Sequence, residues 1–401
     1  MPKKIILFFL IALIAVPILL ASPFRQSYNI LSLLHDTLDI IEAYYIAPRD
    51  TKELMYKAVE GMVSSLDPYS AFLKPEEFTM LKEDVTSEYA GLGITIAFRD
   101  SEVWIVGVSD RSPAARGGVM TKDQLLAIDG KEVARLGEND VVRMLRGEPD
   151  TKVLIRLLRN EQLLTLALTR ALVPIEHVVD PLMLTETIGY IRIVDFAERT
   201  ADELIEALLN LINEGMTHCV LDLRFNRGGV LESSVEVCEL FVTPGTFVVR
   251  VRGKSPKEHT VYYADAIPPF SDIALILLIN KSTASGAEIV ADVLKRHAGA
   301  LLVGQRSMGK GSVQQIIPLL DGSAVKLTTA EYFTEDDTKI DGLGVMPTVE
   351  VTHENVFAQS KEAVMESIDN EDMRRQLMLH DTQVQAALSL WEISTVKDEA
   401  V

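Results

Sequence analysis

Two short, largely apolar runs in the second half of the chain, His218 to Leu223 and Ile273 to Ile279, are each followed by a turn of small and polar residues and then by a helix-period stretch. A run that is apolar at successive positions, not at every second one, must be covered on both faces. That is the pattern of a strand inside a parallel sheet flanked by helices. Parallel neighbours need crossover connections, and the amphipathic stretches Thr200–Asn213, Leu231–Phe241 and Ala287–Lys295 supply them. Thr200 reads as the cap of the first, with Asp202 and Glu203 in its positive first turn. The expected fold class is therefore multidomain α/β, with a mostly parallel core over residues 173–350. In such sheets chemistry gathers where strands turn into helices, and two of these turns are unusual: Asn226-Arg227-Gly228-Gly229 and Ser282-Thr283-Ala284-Ser285.

A chain of 401 residues exceeds one ordinary core, so further units are expected before this one. Residues 25–86 form a helical region, with Ile30, Leu31, Leu33, Leu34, Leu38, Ile41 and Tyr45 at helical spacing, a turn at Ser65-Leu66-Asp67-Pro68, and a helix opened by Pro75-Glu76-Glu77. Residues 87–172 change to short strands separated by glycine turns, with a helix near Asn139–Leu145. Residues 351–401 read as a polar, acidic helical tail that caps or interacts. At the other end, residues 1–24 carry Lys3 and Lys4 ahead of an apolar run from Ile5 to Leu20, the layout of an export segment. Leu19 stands where a small residue would favour cleavage after Ala21, so a removed signal and a retained anchor both fit. The body is expected to be exported, periplasmic or extracytoplasmic, and held at the inner membrane if the segment stays.

The formal charge of −19 removes nucleic acid from the expected partners, because phosphate binding needs clustered cations. The only cysteines, Cys219 and Cys238, fall in apolar patterns and are expected as buried, unpaired thiols. No Cys/His cluster has ligand spacing, so neither a metal nor a cofactor is expected.

Ser285 falls at the start of a helix that follows a buried strand. A hydroxyl there lies beside unpaired helix N–H groups and the positive dipole end, which favour a developing oxyanion. Alone the position is ordinary, since serine is a common helix cap. A nucleophile also needs a base, and Lys310 in Gly309-Lys310-Gly311-Ser312-Val313-Gln314 is the candidate: a desolvated lysine loses basicity and can take a proton. Glycines on both sides suit a close approach to another segment. Gly304 to Lys310 also fits the opening of a phosphate-binding loop, but Gly311 occupies the Ser/Thr position and a strand pattern follows. Ser307-Met308-Gly309-Lys310 fits S-x-x-K, against which the glycines argue.

Taken together, Leu66-Asp67-Pro68-Tyr69-Ser70, Asp222-Leu223-Arg224-Phe225-Asn226-Arg227-Gly228-Gly229, Ser282 to Ile289 and Gly309 to Gln314 resemble the carboxy-terminal processing peptidases, or tail-specific proteases. The segment 87–172, through Gly91-Leu92-Gly93-Ile94 and Ser112-Pro113-Ala114-Ala115, resembles a PDZ domain of the bacterial protease type. The resemblance implies a crotonase/ClpP-like protease core with an inserted PDZ module. It implies Ser285 as nucleophile, Lys310 as general base, Gln314 as the residue orienting that lysine, and the N–H groups of Gly229 and Gly286 as oxyanion hole. It further implies capture of protein substrates by their C-terminal tails at Gly91, Leu92, Gly93 and Ile94, with an activator or adaptor and a homo-oligomer as expected partners. Gly286-Ala287 replaces the family's usual Ala-Ser, and Arg227 replaces a frequent Pro or Gly. The alternative reading is a catalytically inactive PDZ scaffold that binds peptides without cutting them; a crotonase-like acyl-CoA enzyme is a second.

Overall fold

The computed structural model describes residues 23–99, 102–352 and 371–398. Nearly all of the expected export segment, and residues 353–370 of the expected tail, lie outside the described residues. Among the described residues no helix is long and apolar enough to cross a membrane.

The chain opens with helices α1 (Pro23–Tyr44) and α2 (Thr51–Ser64), a short strand β1 (Ala71–Leu73) and helix α3 (Pro75–Thr86). Pro75 occupies the first turn of α3 with Glu76 and Glu77, where the missing N–H costs nothing and acids meet the positive dipole end. Next come β2 (Glu88–Gly91), β3 (Ile94–Arg99), β4 (Glu102–Val108), α4 (Pro113–Arg116), β5 (Gln124–Ile128), β6 (Lys131–Glu132), α5 (Glu138–Leu145), β7 (Lys152–Arg159), β8 (Gln162–Thr169) and β9 (Ala171–Pro174). Strands β3-β4-β5-β7-β8 make one antiparallel sheet with β6 on β5. Its core of Ile105, Ile128, Val141, Ile155 and Leu157 is fully buried and separate from the core that follows. Strand β2 pairs with β9, Glu88 opposite Pro174, so the module enters and leaves through one two-stranded ribbon.

The remainder contains β10 (Val178–Met183), β11 (Ile188–Ile193), α6 (Thr200–Asn213), β12 (His218–Asp222), α7 (Leu231–Glu239), β13 (Phe247–Gly253), β14 (His259–Tyr263), β15 (Ala274–Ile279), α8 (Gly286–His297), β16 (Leu301–Gly304), β17 (Ser312–Pro318), β18 (Ala324–Phe333), β19 (Val349–Glu350), α9 (Glu371–Leu379) and α10 (Thr382–Asp398). The expected parallel sheet is present in the order β10-β11-β12-β15-β16-β19, with only β10 antiparallel. Alternate residues go to opposite faces. Ile191, Leu221 and Leu277 pack on the side of α6, α7 and α8, while Tyr190, Val220, Ile276 and Leu278 pack on the side of Met378, Val384 and Ala387. The C-terminal helices therefore cover one whole face of the sheet. Deleting most of one such side chain, as in Leu277→Ala, costs about 2–5 kcal/mol.

The antiparallel sheet β1-β18-β13-β14, with β17 on β18, has no counterpart in the sequence expectation. Its partners lie far apart in the chain; Ala71 faces Lys326. Two expectations are settled locally. The cap position of α6 is Arg199, not Thr200; Thr200 is the first helical residue and its hydroxyl accepts the Ala197 N–H at 2.9 Å. Cys219 and Cys238 are free and buried, and burial pushes both thiols up, Cys219 to about 12.

Candidate active site

Strand β15 ends at Ile279 and the chain turns through Asn280–Ala284 onto Ser285, the residue just before α8. Asn280 organises the turn: its carboxamide oxygen accepts the N–H groups of Phe225 at 3.1 Å and Ser282 at 3.0 Å, while Thr283 Oγ1 donates to Leu223 O at 2.8 Å. Ser285 itself sits at φ 56°, ψ −121°. That conformation is costly for a residue with a Cβ, by about 1–3 kcal/mol, and persists only where the surroundings enforce it. Its side chain is 6% exposed, at the floor of a groove of about 1310 Å³.

The second unusual turn leaves β12 and packs against the first. Asn226 Nδ2 donates to Ile193 O at 3.0 Å and its Oδ1 accepts the Gly228 N–H at 2.8 Å, while its carbonyl accepts the Ala284 N–H at 2.9 Å. Gly228, at φ 90°, lies so close to the Ser285 turn that a Cβ would meet Ser285 Cβ at 2.7 Å and Gly286 N at 2.8 Å. Glycine is required there on both counts. The N–H groups of Gly229 and Gly286 have no acceptor among the described residues; Gly286 follows Ser285 in the chain, and Gly229, packed on Phe196, lines the same groove as Ser285. At Gly286 a Cβ would strike Ser234 Oγ of α7 at 2.2 Å, so a side chain there requires the serine hydroxyl to move.

Lys310 comes from the other side, on the segment leading into β17. Close backbone approach explains its flanking glycines, since a Cβ on Gly309 would meet Gly344 N at 2.8 Å and one on Gly311 would meet Asp341 N at 2.4 Å. Because β17 begins at Ser312, neither the phosphate-loop nor the helical S-x-x-K reading holds. Burial pushes the Lys310 ammonium below its usual range and the Lys326 ammonium adds to this, with Glu288 opposing. Gln314 lines the same groove, but its Nε2 donates to Ser312 Oγ at 2.9 Å and Thr328 Oγ1 at 3.3 Å; no hydrogen bond to Lys310 is present among the described residues.

The residue that ties the two sides together was not singled out from the sequence. Glu288, fully buried in the first turn of α8, accepts the N–H groups of Ser285 (2.8 Å), Gly309 (2.7 Å) and Lys310 (2.8 Å) and the hydroxyl of Ser307 (2.5 Å). One carboxylate thus fixes the backbone beneath both candidate reacting groups. The signal was an acid three residues after the helix-start serine, the spacing of a capping box. Behind the Gly228 turn, Arg224 is 3% exposed and pairs with Asp222 at 2.6 Å and with Asp381 at 2.7 Å. Asp381 Oδ1 also accepts the Gln383 N–H at 2.9 Å at the start of α10, so the covering helix is pinned to the turn that carries Gly229.

In the N-terminal β module, Leu92 is buried and Gly93 has φ 74°, with a would-be Cβ 2.3 Å from Ser112 Cβ. Gly91 makes room for a neighbour: its Cβ would lie 2.5 Å from the Tyr89 ring. Burial pushes the Tyr89 phenol up, opposed by Arg146 and by the N–H groups of Gly93 and Ile94, which face its oxygen. These are two of the donors expected to receive a substrate carboxylate.

Residues 187–351 match peptidase family S41, and residues 104–159 match a PDZ domain. A carboxy-terminal-processing protease of Bartonella bacilliformis is 32% identical over 333 residues, covering 82% of this chain and 76% of that one. The carboxy-terminal processing protease CtpA of Bacillus subtilis is 33% identical over 318 residues, 79% and 68% of the two chains. A putative S41 protease from Bacteroides fragilis shares the fold, with a TM-score of 0.50 at 15% identity over 88% of this chain and 96% of that one. The chain thus belongs to the carboxy-terminal processing proteases of peptidase family S41.

Proposed function

We propose that this chain is a serine endopeptidase that takes exported proteins by their C-terminal tails and cuts them with Ser285 as nucleophile and Lys310 as base. The observation that carries the reading is Glu288: a single buried carboxylate bonded to the backbone of both residues at the floor of a long groove. Lys310, made less basic by burial and by Lys326, holds a larger neutral fraction near neutrality than a free lysine. Neutral Lys310 takes the Ser285 proton as Oγ attacks the peptide carbonyl. The N–H groups of Gly229 and Gly286 receive the oxyanion, and the lysine returns the proton to the leaving amine. Water then attacks the acyl-enzyme with Lys310 again as base, releasing the new C-terminus. Gln314 is proposed to orient Lys310 by turning from Ser312 when substrate binds.

Residues 87–172 are proposed to be the PDZ module that grips the tail at Gly91–Ile94, adding it as a strand beside β3 while the tail's carboxylate replaces the Tyr89 oxygen at Gly93 and Ile94. Residues 1–24 direct the chain out of the cytoplasm, and residues 173–350 form the protease unit under the helical tail. An activator or adaptor and self-association complete the reading. Wild type, Ser285→Ala and Lys310→Ala are incubated with an unstructured protein ending in apolar residues, and products are followed by mass spectrometry. Cutting by wild type alone supports the dyad. Equal cutting by all three sinks it.

A further inference from the structure

The wall of the groove nearest Lys310 is built by a segment more than two hundred residues away in sequence, the loop between α2 and β1. Asp67 organises that loop. Its Oδ1 accepts the N–H groups of Tyr69 and Ser70, each at 2.8 Å, and its Oδ2 accepts the Ser70 hydroxyl at 2.6 Å. The loop is fastened to β18 as well: Thr328 N–H donates to Ser70 Oγ at 3.0 Å and Thr328 Oγ1 donates to Asp67 Oδ1 at 3.2 Å. The same Thr328 oxygen accepts from Gln314 Nε2, and β1 extends the fastening by pairing Ala71 with Lys326. The Asp67 carboxylate and the Ser70 hydroxyl are thereby committed to holding the loop in place. Tyr69 is what it presents: the Lys310 ammonium lies 5.0 Å from the centre of the Tyr69 ring.

We propose that Tyr69 is a positioning residue for the base, its ring face holding the Lys310 side chain against the groove wall so that Nζ is kept near Ser285. The proposal rests on the Ser285–Lys310 reading. A ring face attracts an ammonium through its quadrupole within about 6 Å, and the attraction grows when water is kept away. The charged groups facing Lys310 are Lys326 of β18, which repels it, and Glu288 of α8, which attracts it. Glu288 already accepts three backbone N–H groups and a hydroxyl, so the ring supplies a direction the carboxylate does not. On this account the helical N-terminal region is part of the catalytic site, and the site is incomplete without it.

The acid limb of the kcat/KM profile reports the base in the free enzyme, so it separates positioning from mere folding. The full chain is assayed as wild type, Tyr69→Leu, Tyr69→Phe, Tyr69→Trp and Ser285→Ala on one unstructured protein substrate, with melting temperatures recorded for each. Leucine keeps the apolar cover and removes the quadrupole, which destabilises the ammonium. Its limb moves to lower pH by about half a unit to one unit. Its kcat falls about tenfold at nearly unchanged KM, as a misplaced base does. Phenylalanine restores both, and tryptophan, with the stronger quadrupole, moves the limb above that of phenylalanine. The order Leu, Phe, Trp holds whatever the melting temperatures, so a poorly folding variant does not rescue the idea. Coincident limbs across the series, or Phe behaving as Leu, overturn it. Cleavage that survives Ser285→Ala overturns the dyad itself and the proposal with it.

Discussion

The two candidate reacting groups stand on different kinds of architecture. Ser285 sits at the end of a buried parallel strand, and its turn is held mostly by near neighbours: Asn280, Thr283, Glu288 and the adjoining turn at Asn226–Gly229. Lys310 sits at the entrance to an antiparallel strand pair and depends on remote segments: Glu288, the 341–344 loop behind Gly309 and Gly311, and the Asp67–Tyr69 loop. Ser285 is placed by its own strand and helix with the adjoining turn, whereas Lys310 is placed by the assembled protein. Damage to the first should look chemical and local. Damage to the second should arise from many places in the chain.

Glu288→Ala breaks the comparison most severely, because it removes the one group common to both sides. Four donors, three of them buried, lose their acceptor at once, so stability should fall by about 3–5 kcal/mol and cleavage should be lost. Thermal melting with a cleavage assay checks this; a stable, active variant would show that the two sides are held independently. Next is Asp381→Ala, far from the groove, which leaves Arg224 buried with one partner fewer. About 2–4 kcal/mol should be lost, with cleavage per folded molecule nearly unchanged, read by denaturant unfolding beside single-turnover rates. Gly228→Ala should act on the Ser285 turn. The Cβ has no room beside Ser285 and φ 90° is strained for alanine, so kcat should drop about a hundredfold with a stability loss of about 1–3 kcal/mol. Gly286→Ala tests the same turn more gently, since the clash is with the Ser234 hydroxyl; adding Ser234→Gly should recover most of the activity. The smallest effect is expected from Thr328→Val, which cuts the links to Asp67 and Gln314. It should cost about 1 kcal/mol and a few-fold in kcat, measured by the same assays.

The same contrast explains what could be read from the sequence. Ser285, Gly228 and Gly229 were legible because each lies where a buried strand turns into a helix, and a turn is a local pattern. The parallel sheet was legible because its strands are apolar at successive positions, as covering on both faces requires. The antiparallel sheet was not, because pairings such as Ala71 with Lys326 leave no trace in local periodicity. Glu288 stood in plain view as an acid in a helical first turn, yet nothing local says that its acceptor sites belong to another segment. Tyr69 and Asp67 were visible only as part of a family motif, and their position beside Lys310 exists only after β1 has joined β18. Arg224 and Asp381 become partners only once α10 has covered the sheet. Misreading Thr200 as a cap has a simpler origin: its hydroxyl satisfies Ala197 N–H from inside the helix, an alternative that composition cannot separate from capping.

The most direct test traps the covalent step. The full chain is treated with a peptidyl fluorophosphonate, and the modified residue is located by peptide mapping and mass spectrometry, for wild type and for Lys310→Ala. The account predicts a single adduct on Ser285 that forms in wild type and is slowed at least a hundredfold when Lys310 is removed. An adduct on Ser307 or Ser312, or equal labelling of Ser285 in both proteins, would contradict it.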